Sequence, residues 1–419
     1  MRIVISSAVY YPMTNGVAMF AHNLANGLAK QGHEVMVICP SFTGKHHVTK
    51  KDGVTVVSLK SIRLPVYPDQ INKVPEKKKL FGREMPKLFY RRGIWVSPAP
   101  AMEVRKALKK FHPEVIHSQT GDPIGMVVAH YAHEHKIPFV TTGHSYPDQF
   151  TGQLKGLGPI KKLLDAALNA YLLSYRSHSD YTTMPTEMAI GDLMLSKRKE
   201  FKVPVEALSN GVDLSEFKPG KANIRIYNKY KLPTDQPIVL YVGRVDPPKS
   251  ISKVVEAFAQ VLEKVPKAKL VVVGDGTDVD RLKALVKYLQ IENSVSFLGK
   301  VMLPELAEIY KAGTLFVTAS ETETQGIVLI EAAATGLPIV AVDAGAVKEV
   351  CQNNKNGILC EPGDVDGIAK AMAKILSDED LCEKYRKASI EIAKTHDLKN
   401  TLKRFEEIYQ EAIDLKIHE

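Results

Sequence analysis

In the stretch from Thr318 to Ala341, TASETETQGIVLIEAAATGLPIVA, three carboxylates (Glu321, Glu323 and Glu331) stand beside a run of apolar residues. Read locally, LFVTAS is a buried strand and ETETQG a turn. GIVLIEAAAT (326–335) is a helix stopped by Gly336, and Pro338 opens the strand PIVAV. On that helix the neighbours of Glu331 one turn away are Ile327, Val328, Ala334 and Thr335. A carboxylate in such surroundings is costly unless something pairs with it. It either reaches water or a structural Arg, or accepts hydrogen bonds from the hydroxyls of a bound ligand; the second reading fits the apolar surroundings better. Glu321 reads as solvated.

Other residues have chemical potential but, taken singly, bland explanations. Arg244 and Lys249 form Arg-x4-Lys after a strand in VGRVDPPKS, which alone reads as surface charge. His144 ends the strand IPFVTTGHS, and a lone His there is more often structural. His130, His133 and His135 cluster on HYAHEHK as an exposed helix end, and there is no Asp-x-Asp, so no metal site is expected. Cys39, Cys351, Cys360 and Cys382 have neither metal-ligand nor redox spacing and read as buried thiols of a reducing cytoplasm. GDGTDVD has Val279 where a dinucleotide fingerprint needs its third glycine, and no P-loop occurs, so a dehydrogenase and a P-loop NTPase are disfavoured.

The elements that must position these residues come in two series. A chain of 419 residues is too long for one ordinary core. The first half runs strand MRIVISSA, helix NGVAMFAHNLANGLAKQG, strand HEVMVICP, then PEVIHSQ, helix IGMVVAHYAHEHK, strand IPFVTTGHS and VEALSNGVD. After the linker FKPGKANIRIYNKYKLPTDQ the pattern restarts with PIVLYVGRV, SISKVVEAFAQVLEKV, AKLVVVGDG, VDRLKALVKYLQI, SVSFLGK and LPELAEIYKAG. Short apolar strands alternating with helices predict an α/β protein of parallel, doubly wound sheets. The expected division is 1–215, 216–395, and a C-terminal helix over 396–419 that packs back onto the first domain. Two Rossmann-like domains would face a central cleft, where strand C-termini meet and ligands bind.

Charge separates the halves. Residues 1–200 hold 27 Lys and Arg against 15 Asp and Glu, while the remainder holds 29 against 32. The basic excess of the first half calls for an anionic partner there. No apolar run approaches the ~18 residues of a membrane span, and a chain that opens directly into a strand is expected to carry no signal peptide.

Taken together, these residues resemble the retaining GT-B glycosyltransferases related to glycogen and sucrose-phosphate synthases, the group 1 family, over nearly the whole chain. The most specific motif is Glu-x7-Glu, Glu323 to Glu331, surrounded in order by SNGVD (209–213), VGRVDPPKS (242–250), GDG (274–276), SFLGK (296–300) and GLP (336–338). The resemblance implies a nucleoside diphosphate sugar as donor and no metal or other cofactor. It implies that Arg244 and Lys249 neutralise the leaving diphosphate and that Glu331 binds the ribose hydroxyls. Glu323 would bind the donor sugar, and His144 would stand beside the reacting sugar. Gly274, Gly326, Ile327 and Val328 would line the donor, with the base against Lys300 and Val301. Helix N–H groups beginning at Gly326 would face the same diphosphate. Asn15-Gly16 occupies a loop where relatives often have Gly-Gly. Retention by attack on the face from which the phosphate leaves, the phosphate taking the acceptor proton, is implied as well.

The acceptor is read from the basic half. Lys73 to Trp95 carries eight basic residues and two acids, among them Lys77, Lys78, Lys79, Arg91 and Arg92, interleaved with aromatic and aliphatic side chains. LKGLGPIKKLLDAALNAYLLSYR (154–176) reads as an amphipathic helix with Lys161 and Lys162 near its start. Both suit an anionic membrane surface; nucleic acid is not expected, since no recognition motif occurs. TETQG, with Gln325 where many relatives have Phe, and RLPVYPDQINKVP resemble bacterial diacylglycerol glucosyltransferases. The expectation is a cytoplasmic enzyme, peripheral to the inner face of the cell membrane, that moves glucose from UDP-glucose onto a diacylglycerol-type lipid. Alternatives are mannosyl transfer from GDP-mannose to phosphatidylinositol and a soluble glycosyltransferase with a sugar or small-molecule acceptor. A UDP-sugar epimerase or a membrane-binding scaffold fits less well.

Overall fold

The computed structural model describes residues 1–13, 15–64, 94–144, 177–191 and 203–417, with short pieces at 79–80, 83–84, 166–167, 170–171 and 174–175. The chain divides into two compact units, Met1–Leu208 with Leu402–Glu419, and Ser209–Thr401.

In the first unit, β1 (Arg2–Ser6), β2 (Glu34–Pro40), β3 (His47–Lys51) and β4 (Val54–Leu59) are followed by the short β5 (Ile62–Leu64), β6 (Lys79–Leu80), β7 (Arg83–Glu84) and β8 (Ile94–Val96). Then come β9 (Val115–Ser118), β10 (Phe139–Thr142), β11 (Tyr181–Met184) and β12 (Val205–Ala207). The main sheet is ordered β12-β11-β10-β9-β1-β2-β4-β3. The chain therefore winds outward in both directions from β1 and β9. Asn15 caps the helix Gly16–Lys30, its Oδ1 accepting the Ala18 N–H at 2.8 Å. Ala21, Leu24, Ala25 and Leu28 form the buried stripe of that helix.

The expectation of an all-parallel sheet is corrected at one edge, where β3 runs antiparallel to β4. Every residue of β3, HVTKK, is exposed. Its polar sequence carries no apolar period, and its lysines suit a strand that must not pair with another chain. The helix Ala101–Phe111 is likewise absent from the sequence reading; its buried face is only Val104 and Leu108.

The second unit holds β13 (Ile238–Val242), β14 (Lys269–Val273), β15 (Val295–Gly299), β16 (Leu315–Thr318), β17 (Ile339–Val342) and β18 (Gly357–Cys360). Its sheet is ordered β15-β14-β13-β16-β17-β18, every pair parallel. Both faces are covered. Ile238, Leu240 and Val242 pack with Leu329 and Ala333, while Val239 and Tyr241 pack with Val254 and Phe258. Two buried faces explain why these strands read as unbroken apolar runs.

The last helix, Leu398–Ile417, starts in the second unit and from Leu402 onward belongs to the first. Within the first unit Phe405 is buried, with ring centroids 4.9 Å from His117 and 5.9 Å from Phe20. Arg404 Nη2 donates to Glu206 Oε2 at 2.7 Å. Truncating Phe405→Ala should lower stability by about 3–5 kcal/mol, the usual cost of emptying an aromatic core site. Urea unfolding followed by circular dichroism checks this.

Candidate active site

In a doubly wound sheet, ligands bind beyond the strand C-termini where the strand order reverses. In the second unit that point lies between β13 and β16, neighbours in space but distant in sequence. Their following loops, 243–250 and 319–326, carry Arg244, Lys249, Glu323 and Gly326.

The loop after β13 is held from below and from the side. The buried Tyr241 hydroxyl donates to the Arg244 carbonyl at 2.9 Å. Arg244 Nη1 donates to Asp246 Oδ2 at 2.9 Å, and the other oxygen of Asp246 accepts from the Thr277 N–H at 2.9 Å and its hydroxyl at 2.7 Å. A Cβ on Gly274 would lie 1.8 Å from the Gly243 carbonyl oxygen, and one on Gly276 would lie 1.8 Å from that of Val245. Both glycines of GDG are thus required for two backbones to lie together.

Lys249 Nζ lies 2.6 Å from Glu323 Oε1 and 3.3 Å from Ser320 Oγ. Each side chain of the pair is only 16% exposed, so this is a partly desolvated ion pair rather than a surface one. Burial alone would raise the Glu323 carboxyl, but the Lys249 ammonium, the Ser320 hydroxyl and the Arg244 charge outweigh it and hold the group below its ordinary range. The Glu323 carbonyl accepts the Ala346 N–H at 3.1 Å, which anchors the turn. Glu321 is exposed, as the sequence suggested. At the surface it also pairs with Lys253 at 3.1 Å on the neighbouring helix Ile251–Lys264.

Gly326 takes φ 73 and precedes the helix Ile327–Ala334 with no side-chain cap. Its left-handed backbone is what a Gly permits cheaply. The first N–H groups of the helix, on Ile327 and Val328, have no intrahelical acceptor and carry the positive end of the helix dipole. One turn on, Glu331 Oε2 accepts from the Tyr310 hydroxyl at 2.7 Å. Burial pushes the Glu331 carboxyl up to about 7, against the opposing effect of that hydrogen bond. Lys300, exposed, and Val301, buried, follow β15.

Residues 223–392 match the family described as glycosyl transferases group 1, and residues 14–216 match glycosyltransferase family 4. The chain is 31% identical to the alpha-monoglucosyldiacylglycerol synthase of Streptococcus pneumoniae, over 81% of this chain and 71% of that one. It belongs to the group 1 glycosyltransferases. Its fold is the GT-B fold. The sucrose-phosphate synthase of Thermosynechococcus elongatus superposes with a TM-score of 0.76 at 20% identity, covering 99% of both chains. Anabaena Alr3699/HepE, solved in complex with UDP, gives 0.70 at 17% identity over 98% of this chain and 100% of its own.

In this glycosyltransferase, Arg244, Lys249, Glu323, Gly326, Ile327, Val328 and Glu331 all stand on the two loops at the β13/β16 reversal or on the helix that follows. Gly274 and Lys300–Val301 follow the adjacent β14 and β15. Sequence reasoning missed three partners: Asp246, inside the motif it quoted, Ser320, and Tyr310, an aromatic residue in an apolar helix that reads as core. Gln325 is buried and joins the loop to the start of the unit. Its Nε2 donates to Ser209 Oγ at 2.6 Å, and its Oε1 accepts the Asn210 N–H at 3.2 Å.

His144 lies in the first unit, just past β10, near that unit's own reversal at β1 and β9. It is 9% exposed, its Nε2 sits 2.7 Å from Gln119 Oε1, and burial lowers it to about 3, so the imidazole is neutral. Asn15 serves as a helix cap and Gly16 begins that helix. Lys77, Lys78, Arg91, Arg92, Lys161 and Lys162 lie outside the described residues, and Lys79 begins β6. Among the described residues no helix is long and apolar enough to cross a membrane, and no three His, Cys, Asp or Glu converge as a metal site.

The Glu331 shift has a sign that can be checked. Its ordinary value is 4.5 and its folded value about 7. Between those pH values the unfolded chain has released a proton that the folded chain keeps, so this group makes folding less favourable as pH rises through that window. Glu331→Gln should therefore unfold at a higher temperature than the wild type at pH 8, and the difference should vanish near pH 4. Thermal scans of the two proteins at both pH values test it.

Proposed function

We propose that this glycosyltransferase moves glucose from UDP-glucose, with retention of anomeric configuration, onto a diacylglycerol-type lipid at the cytoplasmic face of a membrane. The observation that supports the donor reading is the Lys249–Glu323 pair of 2.6 Å, with Glu323 three residues before Gly326 and the uncapped helix that follows it. A diphosphate arriving there meets a helix N-terminus, an ammonium and a guanidinium. Lys249 exchanges its carboxylate for a phosphate oxygen, and Glu323 is released to accept from a sugar hydroxyl. As the glycosidic bond breaks, the charge that develops on the diphosphate is met by groups already in place, which is how preorganised charge lowers a barrier. The reading uses no metal for this neutralisation. The UDP in the HepE complex supports the choice of nucleotide, and the similarity to the pneumococcal alpha-monoglucosyldiacylglycerol synthase supports glucose and the lipid.

Lys249→Ala and Arg244→Ala should each lose on the order of 2–4 kcal/mol of transition-state stabilisation. Steady-state kinetics with UDP-glucose and diacylglycerol measure the loss, and wild-type activity should persist in EDTA. Abolition by chelator with recovery on adding Mg²⁺ would replace the metal-free reading. GDP-mannose outcompeting UDP-glucose in the same assay would replace the donor.

The membrane part rests on the basic excess of residues 1–200. Each Lys or Arg near an anionic surface contributes about 1 kcal/mol, screened over a Debye length of ~10 Å at 0.1 M salt. Co-sedimentation with vesicles should rise with phosphatidylglycerol content and fall with salt, and reversing Lys77, Lys78 and Lys79 to Glu should weaken it. Equal partitioning onto neutral vesicles, or none on either kind, would favour a soluble acceptor.

A further inference from the structure

Glu331 is held from inside the core. The Tyr310 hydroxyl lies 2.7 Å from Glu331 Oε2, with the Val328 carbonyl more distant at 3.3 Å. Tyr310 is fully buried on the helix Glu305–Ala312, edge-on to Phe217 at 5.7 Å between centroids and stacked on Phe316 at 6.3 Å. Packed on two sides, the ring cannot swing, so its hydroxyl presents a donor at one fixed place. An ionised carboxylate has only acceptor sites, two on each oxygen. Engaging Oε2 from the core fixes the rotation of the group and leaves Oε1 to a ligand.

We propose that Tyr310 is a positioning residue for the donor nucleotide: it touches no ligand, but sets the Glu331 carboxylate so that Oε1 meets a ribose hydroxyl. The proposal rests on the reading of Glu331 as a donor-site residue. It differs from a purely packing role for Tyr310, in which the ring matters and the hydroxyl merely satisfies itself. A preorganised acceptor loses less entropy on binding than a carboxylate that must first find its rotamer. Because a ribose contact far from the reacting bond is made equally in ground and transition states, its loss should appear in KM and leave kcat alone.

The test compares wild type, Tyr310→Phe, Glu331→Gln and the double variant. UDP, GDP and ADP are first titrated calorimetrically against the wild type, and the tightest binder is carried forward. Tyr310→Phe should bind it roughly five- to tenfold more weakly, within the scale of one net hydrogen bond. The donor KM should rise by a similar factor at unchanged kcat. The double variant should bind no more weakly than Glu331→Gln, because the hydroxyl acts only through that carboxylate. In the ligand-free protein, the ¹³C carboxyl resonance of Glu331 should move in Tyr310→Phe. Wild-type affinity and an unmoved resonance in Tyr310→Phe would overturn the proposal, as would losses that multiply in the double variant. If Glu331→Gln itself bound the nucleotide like the wild type, the donor-site reading would fall; a moved resonance would then show that Tyr310 orients Glu331 for some purpose other than nucleotide binding.

Discussion

The parallel pairing of β13 with β16 is the contact on which the geometry of the candidate site depends. Val239 and Leu240 stand in register with Leu315 and Phe316, so two loops some seventy-five residues apart leave the sheet side by side. Lys249 can reach Glu323 only because of that adjacency. The pair in turn keeps the turn before Gly326 in place, and with it the start of the helix that bears Glu331. Loss of the strand pairing would separate Lys249 from Glu323.

The polar groups of the candidate site satisfy one another. Arg244 is held by Asp246, Lys249 by Glu323, and Glu331 by Tyr310. Partly buried charges need such partners, since an unpaired one costs several kcal/mol. The pairs are also weak points by design of the chemistry. On the reading proposed above, a diphosphate would offer the two cations a stronger, doubly charged partner, and the displaced carboxylate would become an acceptor for the sugar. Glu331 is the exception, because burial disfavours its charge and one neutral hydroxyl only partly offsets this. A polar residue whose burial lowers stability is the expected trade between function and folding.

The first unit uses hydrogen bonding differently. His117 sits between the Tyr409 hydroxyl and Thr142 Oγ1, each at 2.7 Å, and burial keeps it neutral, as it does His144. Tyr409 comes from the last helix, at the far end of the chain, so closure of this core needs residues synthesised after the whole second unit. The chain crosses between the units twice, after Leu208 and after Thr401. That arrangement makes the fold of the first unit contingent on the completed chain.

The family, the α/β class and the two series of strands and helices were legible in the sequence, because apolar periods and the ordered motifs from SNGVD to GLP are local or depend on spacing alone. The types and positions of Arg244, Lys249, Glu323 and Glu331 were legible for the same reason. The edge hairpin of β3 was not, since HVTKK has no apolar face to read. Nor was the surface partner of Glu321, Lys253, sixty-eight residues away. That Gly274 and Gly276 exist to let two backbones touch, and that a core tyrosine grips Glu331, were decided only by tertiary structure. A residue's own neighbours in sequence fix its periodicity and its burial. Which donor meets which acceptor depends on how strands from distant segments order themselves in the sheet, and no local pattern encodes that.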